Sequence, residues 1–167
     1  MITLADSRLR LAGLVAGAVV VADQATKALI ELTMHPQQTI DVAPFFALSY
    51  VRNTGAAFGV LAAAPAGIRL PLFFAVTLAA VGALVSFLRR TPPDERWLVG
   101  ALGAVLGGAL GNLVCRIRYG EVIDFLDVHW GALHWPAFNI ADAAITVGVA
   151  VVMLHGLRAQ RSPTPAR

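Results

Sequence analysis

The chain has 167 residues, of which 57% are hydrophobic and 14% charged, with a formal net charge of +3. A soluble globular domain is about half apolar and about a quarter charged, so this composition excludes an ordinary water-soluble protein and makes lipid the main solvent. The single cysteine, Cys115, excludes an internal disulfide.

Four apolar runs approach the roughly 20 residues needed to cross a hydrocarbon core. They cover about residues 9–30, 68–88, 97–114 and 137–157. The first begins with Arg8 and Arg10 ahead of "LAGLVAGAVVVA" and also reads as a secretory signal. Apolar character resumes past Asp23 and Lys27 through "ALI", however, so a retained helix is the reading taken. Residues 34–66 contain "TIDVAPFFALSYVRNTGAAFGV", whose β-branched and aromatic residues, broken by Pro and Gly, predict short strands lying on the membrane surface. Phe45, Phe46, Tyr50 and Phe58 there, with Trp130 and Trp135 further on, suit the headgroup boundary. The stretch around Phe45 and Phe58 is also a candidate clamp over a bound peptide.

A tight "RRTPPDER" turn joins the second and third runs. In the third, Gly103, Gly107 and Gly111 recur every four residues, placing them on one helical face where a neighbouring helix can approach closely. The final "RAQRSPTPAR", residues 158–167, reads as a short disordered tail. With four crossings, eight basic residues (Arg8, Arg10, Arg89, Arg90, Arg96, Arg158, Arg161, Arg167) share the side of the termini, against five (Lys27, Arg52, Arg69, Arg116, Arg118) on the other. That bias places both termini in the cytoplasm.

Polar residues beside these runs carry the functional signal, because an ionisable group in a span is costly. Asp23 and Lys27 stand at i and i+4 in the favourable order for a helix ion pair. Asn112 and Arg116 repeat that spacing, and Asn139 precedes Asp142 by three at the start of the fourth run. "VIDFLDVHW" adds Asp124 and Asp127. All approach the same boundary of the membrane. Two carboxylates close together in a dry setting cannot both ionise, so one keeps its proton while the other draws a proton from water, as in aspartic proteases.

None of the serines considered as nucleophiles, Ser7, Ser49, Ser86 and Ser162, has a suitable base beside it in the polar cluster. Zinc competes through His129 and His134 with the nearby acids, but their spacing is not a familiar ligand pattern, and no metal or other cofactor is expected. A nucleic-acid partner is likewise not expected. A small transporter or proton relay is the alternative class; it predicts acids near the bilayer midplane and internal repeats, and no repeat is evident.

Five motifs, "DQATK" (23–27), "NTGAAFG" (53–59), "GNLVCR" (111–116), "VIDFLD" (122–127) and "FNIADAAI" (138–145), resemble in content and order those of the lipoprotein signal peptidases, or signal peptidase II. The likeness runs almost end to end. It implies an intramembrane aspartyl endopeptidase of the bacterial inner membrane, an all-α membrane protein of four transmembrane helices with a small periplasmic β-cradle, in one domain. Its substrates would be prolipoproteins already modified with diacylglycerol, cut just before the lipidated Cys, with membrane lipids around them. The same resemblance assigns Asp124 and Asp142 to a catalytic dyad. It assigns Asn53, Gly55, Asn112, Arg116 and Asn139 to the lining of the active site, Asp23 and Lys27 to structural support, and it implies inhibition by globomycin. Where the family's motif carries Asp, this chain has Cys115, so Arg116 is expected to pair with Asp23 or Glu121, or to remain solvated.

Overall fold

The computed structural model describes residues 4–55 and 61–161. Four helices are long and apolar enough to span a membrane: α1 (Leu4–Thr33), α2 (Ala66–Arg90), α3 (Arg96–Tyr119) and α4 (Ile140–Arg161). The third predicted span is extended by five residues to Tyr119, which takes Arg116 into the last turn of the helix. The fourth begins three residues later than its hydropathy suggests, because residues 135–138 run extended and Phe138 bridges to Leu126. It also continues to Arg161, so the start of the expected disordered tail is helical.

Helix α3 is the centre of the bundle, buried along most of its length. Its glycine face meets α1: a Cβ on Gly103 would lie 2.7 Å from the Ala12 carbonyl oxygen, and one on Gly107 2.6 Å from that of Ala16. A second face meets α4, where a Cβ at Gly108 would strike the Ala141 carbonyl. The four-residue spacing predicts the close approach to α1, and Gly108 adds the approach to α4. Helix α1 is therefore an integral wall of the bundle. Helix α2 lies more peripherally, burying only Arg69, Phe73 and Leu88. At the turn end, Leu88, Leu98, Val99 and Leu102 close around Ala12.

At the opposite end lies a four-stranded antiparallel sheet in the order β1 (Thr39–Ala43), β2 (Phe46–Asn53), β3 (Val122–Trp130) and β4 (Leu133–His134). The first two strands fall in the predicted stretch; β3 and β4 come from the other connection, where periodicity predicts no strand. Gly120, in the left-handed region at φ +72°, ends α3 by donating its N–H to the Arg116 carbonyl and turns the chain into β3. The sheet sits on the helices through Ile30, Met34, Tyr50, Ile123 and Phe125. Tyr50 is thus a core residue at 2% exposure, not a headgroup anchor. Phe45, Trp130 and Trp135 are exposed as expected, while Phe58 lies outside the described residues.

Candidate active site

The site grows from the first turn of α4. Asn139 is its N-cap: its Oδ1 accepts the backbone N–H of Asp142 at 3.0 Å, and the Asp142 carboxylate accepts the backbone N–H of Asn139 in return at 3.2 Å. This reciprocal pattern is a capping box, with Asp in the place more often held by Glu. A third orphan donor of the helix end, the Ala141 N–H, bonds Asp23 Oδ1 from α1 at 3.0 Å. The local helix signal and the position of Asp142 are therefore the same feature.

Asp124 comes from β3. Phe138, the residue before Asn139, exchanges backbone hydrogen bonds with Leu126 and accepts another from Phe125, so the strand carrying Asp124 is fixed against the entry to α4. The Asn139 amide then donates to Asp124 Oδ1 at 2.6 Å. One residue, Asn139, thereby holds both carboxylates, one with its side chain and the other with its backbone. Across the sheet, the register slips between Leu48 and Val51, after which Asn53 stands opposite Val122 and diagonal to Asp124. Its Nδ2 donates to Asp124 Oδ2 at 2.9 Å while its Oδ1 accepts the Gly55 N–H at 2.9 Å, an Asx turn that fixes the amide. The Gly55 carbonyl in turn accepts from Arg116 at 3.1 Å.

Behind the carboxylates, Asn112 on α3 donates to Asp142 Oδ1 at 2.8 Å, and its Oδ1 accepts from Lys27 at 2.8 Å and from Asn139 at 3.2 Å. Lys27 pairs with Asp23 at 2.8 Å, the predicted i,i+4 ion pair, with both side chains almost fully buried. An ion pair this deep is costly unless its remaining hydrogen-bonding capacity is used, and here Asp23 caps α4 while Lys27 orients Asn112. Asp23, Lys27, Asn53, Gly55, Asn112, Arg116, Asp124, Asn139 and Asp142 thus belong to one continuous hydrogen-bond network.

Burial pushes the Asp124 carboxyl up to about 6; the neighbouring Asp142 charge adds to the rise, while Asn53, Asn139 and Lys27 oppose it. Each carboxylate accepts two donors, leaving further lone pairs for a water or a substrate group. Two carboxyls joined through one asparagine, with Asp124 raised toward neutrality, are suited to acid–base chemistry. Asp127, three residues along the strand and so on its other face, bonds Ser49 and His134 and takes no part.

Arg116 departs from expectation. Its partner is neither Asp23, held by Lys27, nor Glu121, held by Arg52 at 2.7 Å. The guanidinium instead lies 4.5 Å from the Phe73 ring centroid on α2 and bonds the Gly55 carbonyl. Cys115 is buried on another side, its Sγ 3.6 Å from the Gln24 amide nitrogen, which also bonds Asp23 and the Gly111 carbonyl. Phe73 and Gln24 are not legible in the sequence as contributors; Phe73 looks like any lipid-facing aromatic, and the only signal from Gln24 is its place inside "DQATK".

The chain is similar to known proteins along most of its length. Residues 15–158 match the family model described as Signal peptidase (SPase) II. A lipoprotein signal peptidase of Geobacter sulfurreducens is 47% identical over 146 residues, covering 87% of this chain and 90% of its own. One from Syntrophotalea carbinolica is 49% identical over 149 residues, covering 89% and 91%. Among solved structures, a bacterial membrane enzyme determined in meso at 2.3 Å superposes with a TM-score of 0.83 at 32% identity, covering 93% of each chain. Another, determined at 1.9 Å, gives 0.77 at 35% identity over 87% of this chain and 92% of its own.

Proposed function

Because the chain belongs to the signal peptidase II family and is an aspartic-type protease of lipoprotein processing, we propose that Asp124 and Asp142 are its catalytic dyad. The observation that supports this most is the pair of carboxylates, brought from a strand and a helix start and joined through Asn139. The alternative transporter reading is disfavoured by how the acids are used: Asp142 lies in the first turn of α4, Asp124 lies outside the helices, and Asp23, the acid within α1, is paired with Lys27 and caps α4.

Asp124, with its pKa raised to about 6, is assigned the shared proton. Asp142 takes a proton from water, the resulting hydroxide adds to the scissile carbonyl carbon, and Asp124 donates its proton to the carbonyl oxygen. Collapse of the tetrahedral species breaks the C–N bond: the proton held by Asp142 passes to the leaving amine, and Asp124 takes back the proton from the former carbonyl oxygen as the C=O re-forms, which restores the dyad. Asn53, Asn112 and Asn139 orient the two carboxylates, Gly55 and Arg116 fix the chain just beyond Asn53 at the end of β2, and Asp23 with Lys27 support the start of α4.

The substrate is a prolipoprotein bearing diacylglycerol, cut just before the lipidated Cys. Its signal peptide is an apolar helix that enters sideways from the bilayer, and its acyl chains stay in lipid while the scissile bond reaches the sheet end of the bundle. That end faces the periplasm, with both termini in the cytoplasm of a bacterial inner-membrane protein, in keeping with the distribution of Lys and Arg. Globomycin is expected to compete for the same space.

The test is cleavage of a purified prolipoprotein in lipid bilayers, with and without diacylglyceryl modification, read by product mass. Cleavage of the modified form alone, leaving the lipidated Cys as the new N-terminus, is expected. Equal cleavage of both forms, or a cut elsewhere, would overturn the substrate assignment.

A further inference from the structure

Asp127, His129 and His134 take no part in the dyad network. Strand periodicity puts Asp127 and His129, two apart on β3, on one face, and the turn at Gly131 sets His134 directly opposite His129 on β4. The two imidazoles stack with centroids 4.9 Å apart. His134 Nδ1 lies 2.9 Å from Asp127 Oδ1, and His129 Nδ1 lies 3.7 Å from the same oxygen. One potential ligand atom from each residue falls within 4.8 Å of the others.

His129 Nδ1 supplies a second, independent observation, since it is buried yet has no hydrogen-bond partner among the described residues. A buried polar atom in that condition calls for an explanation. Its separation from Asp127 Oδ1 is too long for a hydrogen bond. It suits two ligands of one ion, which stand about 3.4 Å apart when bonds of about 2.1 Å meet at the tetrahedral angle. The carboxylate is also fixed in the orientation that ligation requires. Ser49 Oγ donates to Asp127 Oδ2 at 3.2 Å and lies 2.9 Å from Thr39 Oγ1, which restrains the carboxylate with both of its oxygens facing His134 Nδ1, Oδ1 at 2.9 Å and Oδ2 at 3.1 Å. The His134 side chain is half exposed, so an ion could enter from solvent.

We propose that Asp127, His129 and His134 form a site for a divalent transition-metal ion of the zinc class, on the face of the β3–β4 hairpin turned away from Asp124. Two imidazoles and a carboxylate suit zinc, cobalt or nickel and disfavour magnesium and calcium, and solvent fills the remaining positions. The ion ties β4 to β3 and so steadies residues 135–138, which lead directly into Asn139. Its role is structural; it touches no reacting atom. The three residues show no familiar zinc-ligand spacing in the sequence because a hairpin, which periodicity does not reveal, brings them together.

Full-length protein in detergent, titrated with Co2+ and then with competing Zn2+, tests this directly. The expected result is one ion per chain with visible d–d absorption displaced by Zn2+, and a rise in Tm with Zn2+. His129→Ala and His134→Ala should each weaken binding by ~100-fold or more, since loss even of an outer partner of a ligand costs ~10–100-fold. His134→Ala, at a half-exposed position, should fold and still cleave substrate while losing the Tm response; His35→Ala should bind as the parent does. Absence of Co2+ absorption from folded, active protein, or binding that survives both substitutions, would reduce the cluster to an ion pair and overturn the proposal.

Discussion

Asp124→Asn removes the buried carboxylate while keeping its shape. With its pKa at about 6 against 3.8 for an unperturbed aspartate, Asp124 holds a proton in the folded protein where the unfolded chain has already released it. The folded state then binds more protons than the unfolded one, so stability falls as pH rises from 3.8 toward about 6 and stays reduced above that. Two pKa units correspond to about 3 kcal/mol. The substitution also turns one acceptor oxygen into a donor facing Asn53 or Asn139, a pH-independent loss of ~1–3 kcal/mol. The pH slope therefore carries the information, and the offset does not. Thermal melts of parent and variant in one detergent, followed by circular dichroism, should show the Tm of the parent relative to the variant dropping by roughly 10 °C between about pH 4 and about pH 8. Two curves separated by a constant offset would refute the buried, proton-holding role of Asp124.

Asn139→Ala removes both the cap on Asp142 and the donor to Asp124; stability should fall by ~1 kcal/mol. In steady-state cleavage, kcat/KM should fall by about 10- to 150-fold, from the ~1.5–3 kcal/mol of a charge-assisted hydrogen bond, and a loss below about 3-fold would deny Asn139 its positioning role. Asn53→Ala takes away a donor that lowers the Asp124 pKa, so the alkaline limb of the pH–rate profile should move up by ~1–2 units; an unmoved limb would separate Asn53 from the titrating group. Gly111→Ala places a Cβ 2.7 Å from Asp23 Oδ2, disturbing the Lys27 pair and the cap on Ala141, whereas a Cβ on Gly100 meets nothing within 4 Å. The first variant should lose ~1–3 kcal/mol of stability together with activity, and the second should cleave as the parent does and gain up to ~1 kcal/mol of stability from helix propensity; equal behaviour would mean Asp23 can shift freely.

The helices are legible in the sequence because hydropathy over some twenty residues depends little on tertiary context, and the glycine face of α3 because a four-residue repeat fixes its side of a helix. Asp142 is legible as an acid near the start of the fourth span, but its cap with Asn139 is not, because hydropathy starts that span at about residue 137. Strand β3 is not. Val122 to Phe125 are all buried, so the usual alternation of an exposed strand is missing and Asp124 cannot be told from Asp127 by face. The family resemblance separates them where periodicity does not. Tyr50 and Arg116 escape a sequence reading for a related reason: their partners, the core around Ile123 and the ring of Phe73, lie far away in sequence.

The dyad itself is tested most directly by single-turnover cleavage of a diacylglyceryl-modified prolipoprotein in bilayers, comparing the parent with Asp124→Asn and Asp142→Asn, each first shown to be folded and inserted. Cleavage by the parent alone is the predicted result. A substantial residual rate in either variant would contradict the assignment of that residue and, with it, the two-carboxylate mechanism.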